Sequence, residues 1–90
     1  DISGRTPLHL ACQRGEFTTV RTLLEKVANP TAKTLCGLQP LHFAATYGSK
    51  SICRLLLESG AEANVLDKLN KTPMDYVSKT NNAEDVRQVL

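Results

Sequence analysis

Apolar positions along the chain fall into two short stripes, and both stripes then return. Leu8, Ala11 and Cys12 stand at i, i+3 and i+4, the spacing of one helix face, and Gly15 closes the run. Val20, Leu23, Leu24 and Val27 follow at i, i+3, i+4 and i+7, which predicts a second amphipathic helix over Phe17–Lys26. On its polar side Arg21 and Glu25 lie four apart, a weak solvent-exposed pair. Farther on, Leu41, Ala44 and Ala45 restate the first stripe, ended by Gly48. Ile52, Cys53, Leu55, Leu56 and Leu57 restate the second, with Ser49 placed to cap it and Gly60 to close it in left-handed geometry. Between the copies, Ala28-Asn29-Pro30-Thr31 breaks the helix, and Pro30 biases Asn29 away from helical geometry.

The offset between the copies is fixed by a tetrapeptide. Thr6-Pro7-Leu8-His9 returns as Gln39-Pro40-Leu41-His42 and, more weakly, as Thr72-Pro73-Met74-Asp75, each time 33 residues on and without an insertion. Such a period marks stacked copies of one supersecondary unit, here 1–33, 34–66 and 67–90. The fold class it predicts is all-α, a solenoid of about three helix-turn-helix units. Thr6 is a good cap and Pro7 a good first helical residue; Gln39 is the weaker cap, at a cost of ~1 kcal/mol unless Gln substitutes in part. Val27 stands where the second copy has Gly60. A β-branched residue resists left-handed geometry by roughly 1–2 kcal/mol, so either that helix ends differently or Val27 is strained. The third copy is more polar. Asp75 replaces His, Ser78 a small apolar residue and Asn81 a Gly, Asn82 and Asp85 form a cap, and Val86, Val89 and Leu90 keep the stripe. That is what a C-terminal capping repeat needs, since its outer face meets water.

Composition adds limits. Ninety residues with a net charge of +2 suit one soluble globular domain, and no apolar run approaches the ~18 residues of a membrane span. The chain opens at the first repeat position with neither Met nor a leader, which reads as an excerpt of a longer protein with further repeats before Asp1. Cys12 and Cys53 fall on core stripes and Cys36 in a turn; three such thiols argue against a disulfide framework and for the cytoplasm or nucleus.

With its 33-residue period, its Thr-Pro-Leu-His start at Thr6–His9 and its Gly60-Ala61-Glu62-Ala63-Asn64 close, the whole chain resembles the ankyrin repeat family. The resemblance implies a β-turn finger and two antiparallel helices per repeat. It also implies a concave surface of fingers and first helices that grips a partner protein.

Catalytic and metal chemistry finds little support. His9 and His42 belong to different units and read as structural imidazoles bonded to backbone; no ligand set completes a zinc site around His9 and Cys12. No serine has a paired His and Asp, and the glycines punctuate turns rather than cradle phosphate. The expectation is no enzyme, no cofactor and no metal. Charge, sorted by repeat position, is uneven. The finger side carries Arg5, Arg14, Lys33, Lys68, Lys71 and Lys79 against Asp1 and Asp67, while the rest is slightly acidic. Such a field favours acidic partners. Ile2, Leu35, Leu38, Leu66 and Leu69 make the fingers greasy, and Tyr47 joins Arg14 at exposed first-helix ends. The expected partner-binding set is Arg5, Arg14, Lys33, Leu35, Leu38, Thr46, Tyr47, Leu66, Lys68, Leu69 and Lys71. The expected function is a monomeric protein-interaction module for another protein or peptide of acidic character. The alternatives are nucleic acid or a nucleotide on the basic face, disfavoured because Tyr47 is the only good stacking residue, and a spacer within a longer array.

Overall fold

Each first helix begins where the tetrapeptide places it. In the computed structural model, which describes residues 3–26, 28–47 and 49–77, helix α1 spans Pro7–Arg14 and α2 spans Phe17–Glu25. The second unit gives α3, Pro40–Thr46, and α4, Lys50–Glu58. In the third, Thr72-Pro73 starts only a single 3-10 turn, Pro73–Tyr76, rather than an α-helix, and the chain is extended again at Val77. No strand occurs among the described residues. Expectations placed on Asp1, Ile2, Val27, Gly48 and everything from Ser78 onward lie outside them.

Caps account for most of the boundaries. Thr6 Oγ1 accepts the His9 N–H at 3.3 Å, and Gly15, at φ 71°, ends α1. Ser49 Oγ accepts the Ile52 N–H in the same way. Gln39 does not substitute for Thr: it makes no side-chain cap bond, and its buried Oε1 has no hydrogen-bond partner. Helix α2 ends with the Ala28 N–H bonded to the Leu23 carbonyl, and α4 with the Ala61 N–H bonded to the Leu56 carbonyl, both at 3.0 Å. The first repeat therefore closes its second helix with the same bond that accompanies Gly60 in the next.

Packing follows the stripes. Leu8, Ala11, Cys12, Val20, Leu41, Ala44, Ala45, Ile52, Cys53 and Leu56 form one core, with Leu23, Leu24 and Leu55 packed at its margin. Helix α1 packs on both α2 and α3, and α3 packs on α4 and the 3-10 turn, so consecutive units share a continuous interior. Small residues at Ala11, Ala44 and Ala45 let neighbouring first helices lie close.

The fingers repeat as faithfully as the helices. The Thr34 N–H bonds to the Leu38 carbonyl at 2.9 Å, and the Asp67 N–H to the Lys71 carbonyl at 3.0 Å. Successive fingers are joined by Leu35 N–H to Ser3 carbonyl and Lys68 N–H to Cys36 carbonyl, each 3.0 Å. The fourth position of every finger is left-handed: Gly4 at φ 79°, Gly37 at 80° and Asn70 at 61°. At Gly37 a Cβ would lie 3.0 Å from the Lys68 nitrogen, so glycine there serves both the turn and the close approach of the next finger.

Candidate functional site

The finger-side face is assembled by two histidines and the rings that follow them. Burial strips water from His9, and both its ring nitrogens are used. Nδ1 accepts the Thr6 N–H at 3.0 Å, and Nε2 donates to the Leu38 carbonyl of the next finger at 3.0 Å. His42 repeats the arrangement, accepting from the Gln39 N–H at 3.0 Å and donating to the Lys71 carbonyl at 3.1 Å. These partners fix the neutral tautomer protonated on Nε2, because a carbonyl can only accept. Desolvation lowers the His9 pKa below its ordinary value, opposed by its bonds to backbone. Asp75 keeps half of the pattern: Oδ2 accepts the Thr72 N–H at 2.8 Å, but an ionised carboxylate has no proton to pass onward.

Each imidazole also meets an aromatic ring of the following repeat edge-on. His9 packs against Phe43 with centroids 5.3 Å apart, and His42 against Tyr76 at 5.7 Å. The Tyr76 hydroxyl donates to Asp67 Oδ2, while Asp67 Oδ1 accepts the Leu69 and Lys71 N–H groups at 2.8 and 3.0 Å. Burial would raise the Asp67 pKa, but the bonds from Tyr76, Lys71 and Leu69 outweigh it and hold the carboxyl below its usual range. The same bond to Asp67, helped by burial, pushes the Tyr76 phenol up to about 12. Asp67, expected as an open surface charge, is thus a buried strut of the third finger. Lys71 lies with Nζ 5.7 Å from the Tyr76 ring centroid.

Two apolar hollows flank that ring. One, of about 290 Å³, lies between the second and third fingers and is lined by Leu35, Cys36, Leu38, Asp67, Lys68, Leu69 and Tyr76. The other, of about 190 Å³, is lined by Leu38, His42, Phe43, Thr46, Tyr47 and Tyr76. They share Leu38 and Tyr76 and so form one groove. Leu35 is 63% exposed, Leu69 71% and Tyr47 52%, while Leu38 is half-buried in the groove wall rather than projecting from a turn tip.

Of the expected set, the groove brings together Leu35, Leu38, Thr46, Tyr47, Lys68 and Leu69, with Lys71 at its rim on Tyr76. Arg14, Lys33 and Leu66 are exposed but do not line it. Arg5 is half-buried, with Nε bonded to Ser3 Oγ and Nη1 to Gln13 Oε1. Sequence reasoning missed Phe43 and Tyr76. The available signal was an aromatic residue one position past the histidine, one repeat later.

Reactive chemistry is held down by burial. The Cys12 and Cys53 thiols are each pushed up to about 12 by desolvation, so both are protonated at neutral pH. All three cysteines are free, and only Cys36 is exposed. Among the described residues no group of three or more His, Cys, Asp or Glu side chains could hold a metal ion. No helix among them is long and apolar enough to cross a membrane.

A sequence model of ankyrin repeats in many copies matches residues 8–57, the stretch holding all four α-helices apart from the first residue of α1 and the last of α4. The chain belongs to the ankyrin repeat family. No curated protein matches it. Ankyrin repeats are in general protein–protein interaction modules and typically not enzymes.

Proposed function

We propose that this ankyrin repeat chain is a monomeric interaction module that holds a segment of a partner protein along the groove between its second and third fingers. The observation that carries the reading is the pair of hollows meeting at Leu38 and Tyr76. They offer apolar floors for two side chains of one bound segment. Leu35 and Leu69 stand exposed at the finger tips, where contiguous apolar surface favours contact over solvation. Lys68 and Lys71 favour acidic residues beside the apolar anchors, and Arg5, Arg14, Lys33 and Leu66 extend the same face beyond the groove. Three free thiols fit a reducing compartment, cytoplasm or nucleus.

The test is a pull-down with the chain and with Leu38→Ser/Tyr47→Ala. Loss of the captured protein, with an unchanged helical circular dichroism spectrum, supports the groove. Equal capture by the double variant overturns it. Capture of oligonucleotide with a steep linear loss of affinity in salt would instead favour a nucleic acid on the basic face.

A further inference from the structure

The two hollows of the groove offer different chemistry, and the difference lies in which polar groups are already engaged. Around the inner hollow, where Leu38 and Phe43 supply apolar wall, the His42 ring donates its one proton to the Lys71 carbonyl. Thr46 Oγ1 donates to the His42 carbonyl at 2.8 Å, and the Tyr76 hydroxyl donates to Asp67. Among the described residues lining this hollow, the Tyr47 hydroxyl, on an exposed ring, is the one side-chain donor without an acceptor. The inner hollow therefore suits a side chain that asks for no hydrogen bond.

Between the fingers a charge is left over. Asp67 is buried, and its oxygens face the finger's own donors, the Leu69 and Lys71 N–H groups and the Tyr76 phenol. Lys68 is exposed and makes no ion pair among the described residues. Its position is nonetheless fixed. Its N–H bonds to the Cys36 carbonyl at 3.0 Å, and its Cγ passes 3.3 Å from where a Cβ on Gly37 would stand. The third finger thus carries Lys68, but the stem lies across the second. Lys71, the neighbouring cation, is drawn to the Tyr76 ring instead.

We infer that the groove reads an ordered segment of its partner: an apolar side chain in the inner hollow, a second apolar side chain between the fingers, and an Asp or Glu beside that second anchor, with Lys68 as the specificity-determining residue. The inference rests on the groove proposed above and adds to it an order, with charge at one end only. A carboxylate at the inner end would lose water and find no donor beyond the Tyr47 hydroxyl. At the finger end it meets an unpaired ammonium held in place by its own stem.

Selecting a displayed library of random peptides against the 90-residue chain and against Lys68→Glu tests this. The chain is expected to enrich peptides with two apolar positions and an acidic residue beside one of them alone. Lys68→Glu is expected to keep both apolar positions and exchange the acidic residue for Lys or Arg. It should also bind the chain's own selected peptide about tenfold more weakly, since like charges then face each other. Peptides without an acidic position, or an acidic position that survives Lys68→Glu, overturn the inference. The groove itself still stands in that case if Leu38→Ser, with its helical circular dichroism unchanged, no longer binds them. Peptides that bind Leu38→Ser equally well, or no enrichment at all, overturn groove and inference together.

Discussion

A neutral imidazole has one acceptor and one donor, and His9 directs the first to its own repeat and the second to the next. Protonation at Nδ1 would break the bond from the Thr6 N–H and place a charge in a site that burial already makes unfavourable. Because burial lowers the folded pKa below 6.5, the unfolded chain takes up the proton first as pH falls. The contribution to stability is complete above that value and is lost as pH drops from it toward the folded pKa. Urea midpoints measured from roughly pH 7 to pH 5 should therefore decline, and the decline should be shallower in His9→Gln. The residue types showed that these histidines were structural. That Asp67 would be a buried strut did not show, because its partner, Tyr76, follows the tetrapeptide, nine residues on, and is reached only in three dimensions.

At the scale of elements, the periodic stripes were legible because 33 residues separate every helix from its copy with nothing inserted. The boundaries followed from caps wherever a hydroxyl or a glycine stood at the right place. Gln39 is the exception, and it identifies a repairable fault. Gln39→Thr should restore the cap that Thr6 makes and remove a buried carbonyl oxygen without a partner. A gain of about 1 kcal/mol in equilibrium urea unfolding is expected, reduced in part by the shorter buried side chain. The third unit could not be read the same way. Its tetrapeptide predicted an α-helix, but the turn that forms is 3-10 and only four residues long, Pro73–Tyr76.

At the scale of the molecule, burial rises from the first unit to the second. Leu56 lies between neighbours and is fully buried, so Leu56→Ala should cost ~2–5 kcal/mol, enough to unfold most of a domain of this size. Leu23→Ala, at the equivalent but half-buried position, should cost clearly less by the same denaturation measurement. Equal costs would mean that the first repeat is already covered. The candidate groove was only partly legible at this scale. Counting repeat positions placed Leu38, Tyr47 and Leu69 on one side, but Phe43 and Tyr76 enter through the offset between a histidine and the ring of the following unit. That offset is a property of stacking, not of any single repeat.

The acceptors chosen by His9 and His42 have one more consequence. Both imidazoles bond to main-chain carbonyls, those of Leu38 and Lys71, and ask nothing of the side chains attached there. The fifth position of the repeat is accordingly Arg5, Leu38 and Lys71 in turn, a cation, an aliphatic and another cation. Cohesion between units is carried by the backbone, so this side chain can differ from one repeat to the next. The same joint that holds the stack together is what allows its face to change without loosening it.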